Sequence, residues 1–98
     1  ADILRANLRS SDVIARWGGE EFLIFLPELN LHESYWVAEK IRKAISSFNF
    51  YCEGVDISVT ITAGIADIRD CTSVEHCIHS ADKKLYRGKA EGRNAIIK

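Results

Sequence analysis

Gly18-Gly19-Glu20-Glu21-Phe22 sets two carboxylates directly behind two glycines. Glycine lets a backbone approach a ligand closely and leaves no side chain in between. Glu20 and Glu21 supply hard oxygen donors of the kind Mg²⁺ takes, one or two carboxylates alongside substrate phosphates. The alternative is an ordinary Gly-Gly hairpin with two solvated glutamates. Lys89 and Arg93 form a second pair. Spaced i, i+4 near the end of an amphipathic segment, they project to one side and could hold an anion. Their plainer reading is favourable charge at a helix C-terminus, worth about 0.3–1 kcal/mol. Arg9 and Asp12 are a third pair, which by itself reads as a surface ion pair worth about 0–1 kcal/mol.

These residues need a frame, and local patterns supply one. Residues 1–8 read as the tail of a helix, with Ile3, Leu4 and Leu8 at helical spacing and no N-cap. Residues 12–17 (DVIARW) are a short strand candidate. Residues 22–26 (FLIFL) are a continuous apolar run stopped by Pro27. Joined across Gly-Gly they make a hairpin signal. The second run lacks polar alternation, so both of its faces should be covered.

Asn30 to Glu33 has the form of a capping box and opens a helix to about Phe48, with inner stripe Val37, Ile41, Ala44, Ile45 and Phe48. Residues 57–65 alternate as one strand, with residues 50–55 paired to it around Glu53-Gly54. Thr72 to Glu75 repeats the box before a helix striped by Val74, Cys77, Ile78, Ala81 and Leu85, ended by Gly88 and Gly92. Residues 95–97 form a last strand. This order predicts an α+β two-layer sandwich, mainly antiparallel, with helices on one face. Strands 22–26 and 57–65 are expected to be antiparallel neighbours.

Ninety-eight residues fit one small domain. A net charge of -1 leaves no basic field for gathering nucleic acid, so DNA is not an expected partner. The 47% hydrophobic content is too high for disorder, and no window approaches the roughly 18 apolar residues of a membrane span. Three cysteines, none in a CxxC, point to a reducing cytosol rather than a disulfide framework. Cys71, His76, Cys77 and His79 are crowded, but their spacing matches no usual zinc knuckle. Trp17, Tyr35 and Trp36 read as packing residues, and the histidines receive no role.

The motifs taken together resemble the GGDEF family of diguanylate cyclases, in its GGEEF variant. The pentapeptide would arise by chance in such a chain on the order of once in ten thousand. Arg9-Ser-Ser-Asp12 stands where the family carries its RxxD inhibitory site. DVIARWGG resembles "DxxARxGG", and ITAGI at 61–65 resembles "xSxGIA". The stretch from Ala81 to Asn94 is similar to "ADxALYxAKxxGRN".

The resemblance implies a nucleotide-cyclase or palm-like fold. It also implies condensation of two GTP into cyclic di-GMP and two pyrophosphates, by two domains meeting face to face as a homodimer. Glu20 would bind Mg²⁺ (or Mn²⁺) and serve as base, with Glu21 near the second cation. Gly18 and Gly19 would lie against the nucleotide, and Lys89 and Arg93 on its terminal phosphates. Arg9 and Asp12 would bind cyclic di-GMP as product, with the base edge of guanine accepted by Asp12. Lys40 stands where many members carry a second arginine, and a point charge binds less well there than a planar fork. Arg9 and Asp12 should therefore be solvent-accessible, on the side of the hairpin away from Glu20.

The family's first strand, with a metal-binding Asp, and the guanine-reading helix after it have no counterpart here. The chain is thus expected to be the C-terminal two-thirds of a cytoplasmic domain, and alone to make no cyclic di-GMP. An upstream sensor or receiver domain is expected, and no membrane insertion by this segment. A receptor that binds cyclic di-GMP without making it is the alternative, and a ligand-free scaffold a third. The intact Glu20 and Glu21 favour the enzyme.

Overall fold

The β-branched and apolar runs flanking Gly18 fold as a hairpin. A computed structural model describes residues 2–18 and 21–98. Strands β1 (Val13–Arg16) and β2 (Phe22–Phe25) pair antiparallel, with Val13 opposite Phe25 and Arg16 opposite Phe22. Pairing continues past the strand ends: the Trp17 and Gly18 N–H groups donate to the Glu21 carbonyl at 2.9 and 3.3 Å. The short helix α1 (Asp2–Ala6) precedes the hairpin and packs on helix α2 (Leu31–Ser46).

The α2 capping box forms as read. Asn30 accepts from the Glu33 N–H at 2.8 Å, and Glu33 accepts from the Asn30 N–H at 3.0 Å. Its stripe buries Ile41 and Ile45. Phe48 falls beyond the helix end, exposed and tilted at 59° against Phe50 with ring centroids 4.7 Å apart. In helix α3 (Val74–Ala90) the cap is displaced by one residue from the sequence reading. Ser73 is the N-cap, accepting from the His76 N–H at 3.0 Å, while His76 Nδ1 accepts from the Thr72 N–H at 3.2 Å. An imidazole thus stands where the usual box has a glutamate, but it accepts from the residue before the cap.

The strand expected over residues 57–65 is divided. Strands β3 (Asn49–Cys52) and β4 (Val55–Ser58) form a hairpin around Glu53-Gly54, whose φ values of 52° and 82° suit the tight two-residue turn. Pairing then lapses. Strand β5 (Ala63–Gly64) joins strand β6 (Ile96–Ile97), parallel rather than antiparallel. The reason is local to β5, which lies against α3. A Cβ on Gly64 would come within 2.1 Å of the Ala81 carbonyl oxygen and 2.5 Å of the Leu85 nitrogen. Gly88, read from sequence as a helix stop, lies inside α3 for a similar purpose. A Cβ there would stand 2.8 Å from Thr62 and 3.0 Å from Ile97. Gly92, at φ 122°, comes after the helix end.

Strands β2 and β5 are therefore not neighbours. Each has one strand partner among the described residues, and a cavity of about 820 Å³ separates them. Consecutive residues, 22–24 on one side and 59–64 on the other, line it. Because strand side chains alternate between faces, consecutive lining residues mean that the strands meet the cavity edge-on. Both long helices contribute to its walls, α2 through Ile45 and α3 through Ile78, Ala81 and Leu85. The expected covering of β2 also fails in part, since Phe22 is 46% and Phe25 56% exposed. Only Ile41, Ile45 and Ile96 among the described hydrophobic residues are buried. Trp17 and Trp36 are more than half exposed, contrary to a packing role. Trp36 Nε1 donates to His32 Nε2 at 3.2 Å along the helix surface, while Tyr35 carries Lys98 over its ring at 4.4 Å.

Candidate functional site

The hairpin and the end of α3 bring Glu21 to Lys89. Glu21 Oε2 lies 3.8 Å from Lys89 Nζ, both side chains a little over one-third exposed. At such exposure the pair is worth at most about 1 kcal/mol, so its interest is positional. Glu21, Lys89 and Arg93 share the wall of the 820 Å³ cavity. A second opening of about 520 Å³, walled by Trp17, Glu21, Glu75, His79 and Asp82 among others, shares Glu21 with the first.

Gly19 and Glu20 lie outside the described residues. Gly18 is described, and the fold makes no demand for glycine there. An added Cβ would meet only the Glu21 side chain, at 3.9 Å and beyond.

Arg93 is not carried on the helix, as the i, i+4 spacing had suggested. The helix ends at Ala90, and Arg93 sits in the left-handed region with φ 62°, its N–H donating to the Gly88 carbonyl at 2.9 Å. Its exposed guanidinium makes no ion pair among the described residues and still borders the cavity with Lys89. Asn94 is left-handed too, at φ 49°.

The third pair departs from expectation. Asp12 is buried, 5% exposed, where solvent access was predicted. Its carboxylate accepts the Arg9 N–H at 2.7 Å and the Arg9 Nη2 and Nε groups at 2.8 and 3.1 Å. A tight turn, with the Asp12 N–H donating to the Arg9 carbonyl at 3.1 Å, brings them together. Arg9 also reaches the Pro27 carbonyl at 2.7 Å, tying the turn to the end of the hairpin. The Arg9 hydrogen bonds hold the Asp12 carboxyl below its usual range against the cost of burial. Arg9 keeps its other side open. Lys40 is exposed on α2 and makes no ion pair among the described residues.

Ion pairs that were not read from the sequence include two that involve well-gripped arginines. Arg69 holds the Asp67 carboxyl down to about 2, mainly through its side chain and then through its own N–H. Arg42 forks onto Glu39 and reaches across to Asn94, a contact between residues 52 apart that no local pattern signals.

Near α3's start, Cys71 and Cys77 are free thiols; burial first, then Cys71, pushes Cys77 up to about 11. Among the described residues no group of three or more His, Cys, Asp or Glu is placed to hold a metal ion. Glu21 and Asp82 both border the two cavities, and hard carboxylates of this kind suit Mg²⁺ or Mn²⁺ completed by phosphates and water. No described helix is long and apolar enough to cross a membrane.

Comparison with known proteins shows the family and the fold. A family model described as "Diguanylate cyclase, GGDEF domain" matches residues 1–95. Diguanylate cyclase DgcP of Pseudomonas aeruginosa is 39% identical over 93 residues, 95% of this chain and 14% of its own length. Diguanylate cyclase A of Treponema denticola is 36% identical over 97 residues, 98% of this chain and 26% of its own. The chain thus spans about a quarter or less of these relatives. Among solved structures, the GGDEF domain of DgcB from Caulobacter crescentus in complex with c-di-GMP superposes with a TM-score of 0.87 at 25% identity. The match covers 98% of this chain and 58% of that one. The SiaD diguanylate cyclase of Pseudomonas aeruginosa, in complex with its activator SiaC, gives 0.84 at 28% identity, covering 98% and 37%.

Proposed function

The chain belongs to the GGDEF family of diguanylate cyclase domains, and on that footing we propose that it forms the signature-and-phosphate end of a GTP site. In that site two GTP molecules, one per domain of a homodimer, are condensed to cyclic di-GMP with release of two pyrophosphates. The observation that carries this reading is the approach of Glu21 to Lys89 at 3.8 Å, with Arg93 on the same cavity wall. A carboxylate suited to a cation and two basic side chains suited to a triphosphate border one cavity, and this supports the reading.

Each residue then has a task. Lys89 and Arg93 hold the terminal phosphates, Arg93 through a planar fork matched to phosphate oxygens. Gly18, which the fold leaves free to carry a side chain, stays bare so that the nucleotide can lie against the turn. Glu20 and Glu21 are the metal carboxylates, and Glu20 takes the proton of the attacking 3′-hydroxyl. The cation, Mg²⁺ or Mn²⁺, supplies charge neutralisation on the phosphates. Phosphoryl transfer of this kind rests on positioning and electrostatics rather than covalent help.

Arg9, Asp12 and Lys40 form a regulatory site for cyclic di-GMP. Because Asp12 is closed by Arg9, the product first engages the exposed Arg9 fork and Lys40, and takes Asp12 only as Arg9 swings out. The domain is cytoplasmic and receives its signal from a sensor or receiver domain; one relative, 35% identical, is the response regulator PleD of Caulobacter vibrioides. By itself the chain binds Mg·GTP weakly and does not turn it over.

Calorimetric titration of the 98-residue chain with Mg·GTP tests the phosphate end. Lys89→Ala and Arg93→Ala should each weaken binding about 10- to 100-fold, the range for a charged hydrogen bond. Unchanged affinity in both variants would reject the site.

A further inference from the structure

The turn that carries Arg93 is costly to make. Arg93 and Asn94 are consecutive residues in the left-handed region, at φ 62° and 49°. Asparagine tolerates that region, but arginine gains nothing from it, and such residues persist only where their surroundings over-determine them. Three contacts do so here. The Arg93 N–H donates to the Gly88 carbonyl at 2.9 Å, and the Asn94 N–H to Thr62 Oγ1 at 2.9 Å. The third comes from α2: Arg42 Nη1 donates to Asn94 Oδ1 at 2.9 Å.

Arg42 is itself fixed. Its Nε donates to Glu39 Oε2 at 3.0 Å and its Nη2 to Glu39 Oε1, a two-pronged pair with side chains only 17% and 13% exposed. A fork gripped on two prongs has its third direction set, and a lysine could not reproduce that. From this geometry we infer that Arg42 is a positioning residue for nucleotide binding. It clamps Asn94 so that the strained turn keeps the Arg93 guanidinium at the cavity. The inference rests on the phosphate role proposed for Arg93. Arg42 touches no ligand: it acts through Asn94 and the backbone. Released from Arg42, the Asn94 side chain no longer opposes relaxation of the turn, and Arg93 swings out of reach of the phosphates.

Mg·GTP titrations of the chain test this with Arg93→Ala, Arg42→Met, Asn94→Gly and the double variant Arg42→Met/Arg93→Ala. Asn94→Gly matters because it keeps the left-handed backbone accessible and leaves the Glu39–Arg42 pair whole, so that loss of folding does not confuse the result. Arg42→Met and Asn94→Gly should each weaken binding about 3- to 10-fold. The double variant should bind no more weakly than Arg93→Ala alone, because Arg42 acts only by placing Arg93. Wild-type affinity in Asn94→Gly and Arg42→Met, with Arg93→Ala impaired, would overturn the inference and leave the phosphate site standing. A double variant weakened by the product of the two single effects would also overturn it. Unchanged affinity in Arg93→Ala would remove the phosphate reading and this inference together.

Discussion

Replacing Gly64 by alanine tests how α3 is seated on the sheet, and hence what places Lys89. The new Cβ would lie 2.1 Å from the Ala81 carbonyl oxygen and 2.5 Å from the Leu85 nitrogen. Both are helix backbone and cannot rotate away, and ordinary contact begins near 3.4 Å. The strand must therefore retreat by more than an ångström. Overpacking alone costs about 1–3 kcal/mol. Retreat also strains the bonds flanking Gly64, Ala63 N–H to Ala95 at 3.0 Å and Ile65 N–H to Ile97 at 2.9 Å. Each of these contributes about 0.5–1.5 kcal/mol net. The expected loss is about 2–5 kcal/mol, read as a fall in the midpoint of urea unfolding. Gly88→Ala is the internal control. Its clashes, at 2.8 and 3.0 Å, are with side chains of Thr62 and Ile97, and alanine regains about 1 kcal/mol of helix propensity. That variant should stay within about 1 kcal/mol of wild type. A Gly64→Ala protein as stable as Gly88→Ala would refute the close approach of β5 to α3.

Acid unfolding should follow from the carboxyls of Asp12, Glu39 and Asp67, all held below their usual values. Depressed carboxyls stabilise the fold above the unfolded value near about 3.9. That stability is lost as pH falls, for Asp67 down to about 2; Asp12→Asn should flatten part of the decline in unfolding midpoint below about pH 4. Cyclic di-GMP should bind the chain weakly. Arg9→Ala should weaken binding further, by about 1.5–3 kcal/mol, while Lys40→Arg should tighten it. Equal calorimetric affinities across the three proteins would remove the regulatory site. The edges that β2 and β5 turn to the cavity invite pairing between chains. Sedimentation should therefore detect oligomers that Ile24→Lys disperses, and a wild type that stays monomeric at all concentrations would contradict this.

Short-range features were legible because their causes lie within a few residues. Gly18 and the β-branched runs beside it specify the β1–β2 hairpin, Asn30 and Glu33 specify the start of α2, and Glu53-Gly54 specifies the β3–β4 turn. The signature and basic residues were found by type and order, and the fold brings Glu21, Lys89 and Arg93 to one cavity wall. Long-range features were not legible. Nothing near Phe22 says that β2 faces a cavity instead of the strand at Ala63. Nothing near Gly88 separates a helix stop from a close approach to Thr62 and Ile97. Asp12 looks like any surface acid beside an arginine until the turn folds Arg9 over it. The Arg42–Asn94 contact spans α2 and the last loop, a pairing that only the tertiary fold creates.

The central claim, that this chain supplies the catalytic carboxylates and phosphate end of a diguanylate cyclase, is tested most directly by exchange. The segment of Treponema denticola diguanylate cyclase A that the chain matches, at 36% identity over 97 residues, can be replaced by it. Given GTP and Mg²⁺, the folded chimera should release pyrophosphate and cyclic di-GMP, and Glu20→Ala should abolish both. A chimera with native circular dichroism that makes no cyclic di-GMP would contradict the account, as would one whose Glu20→Ala variant turns over unchanged.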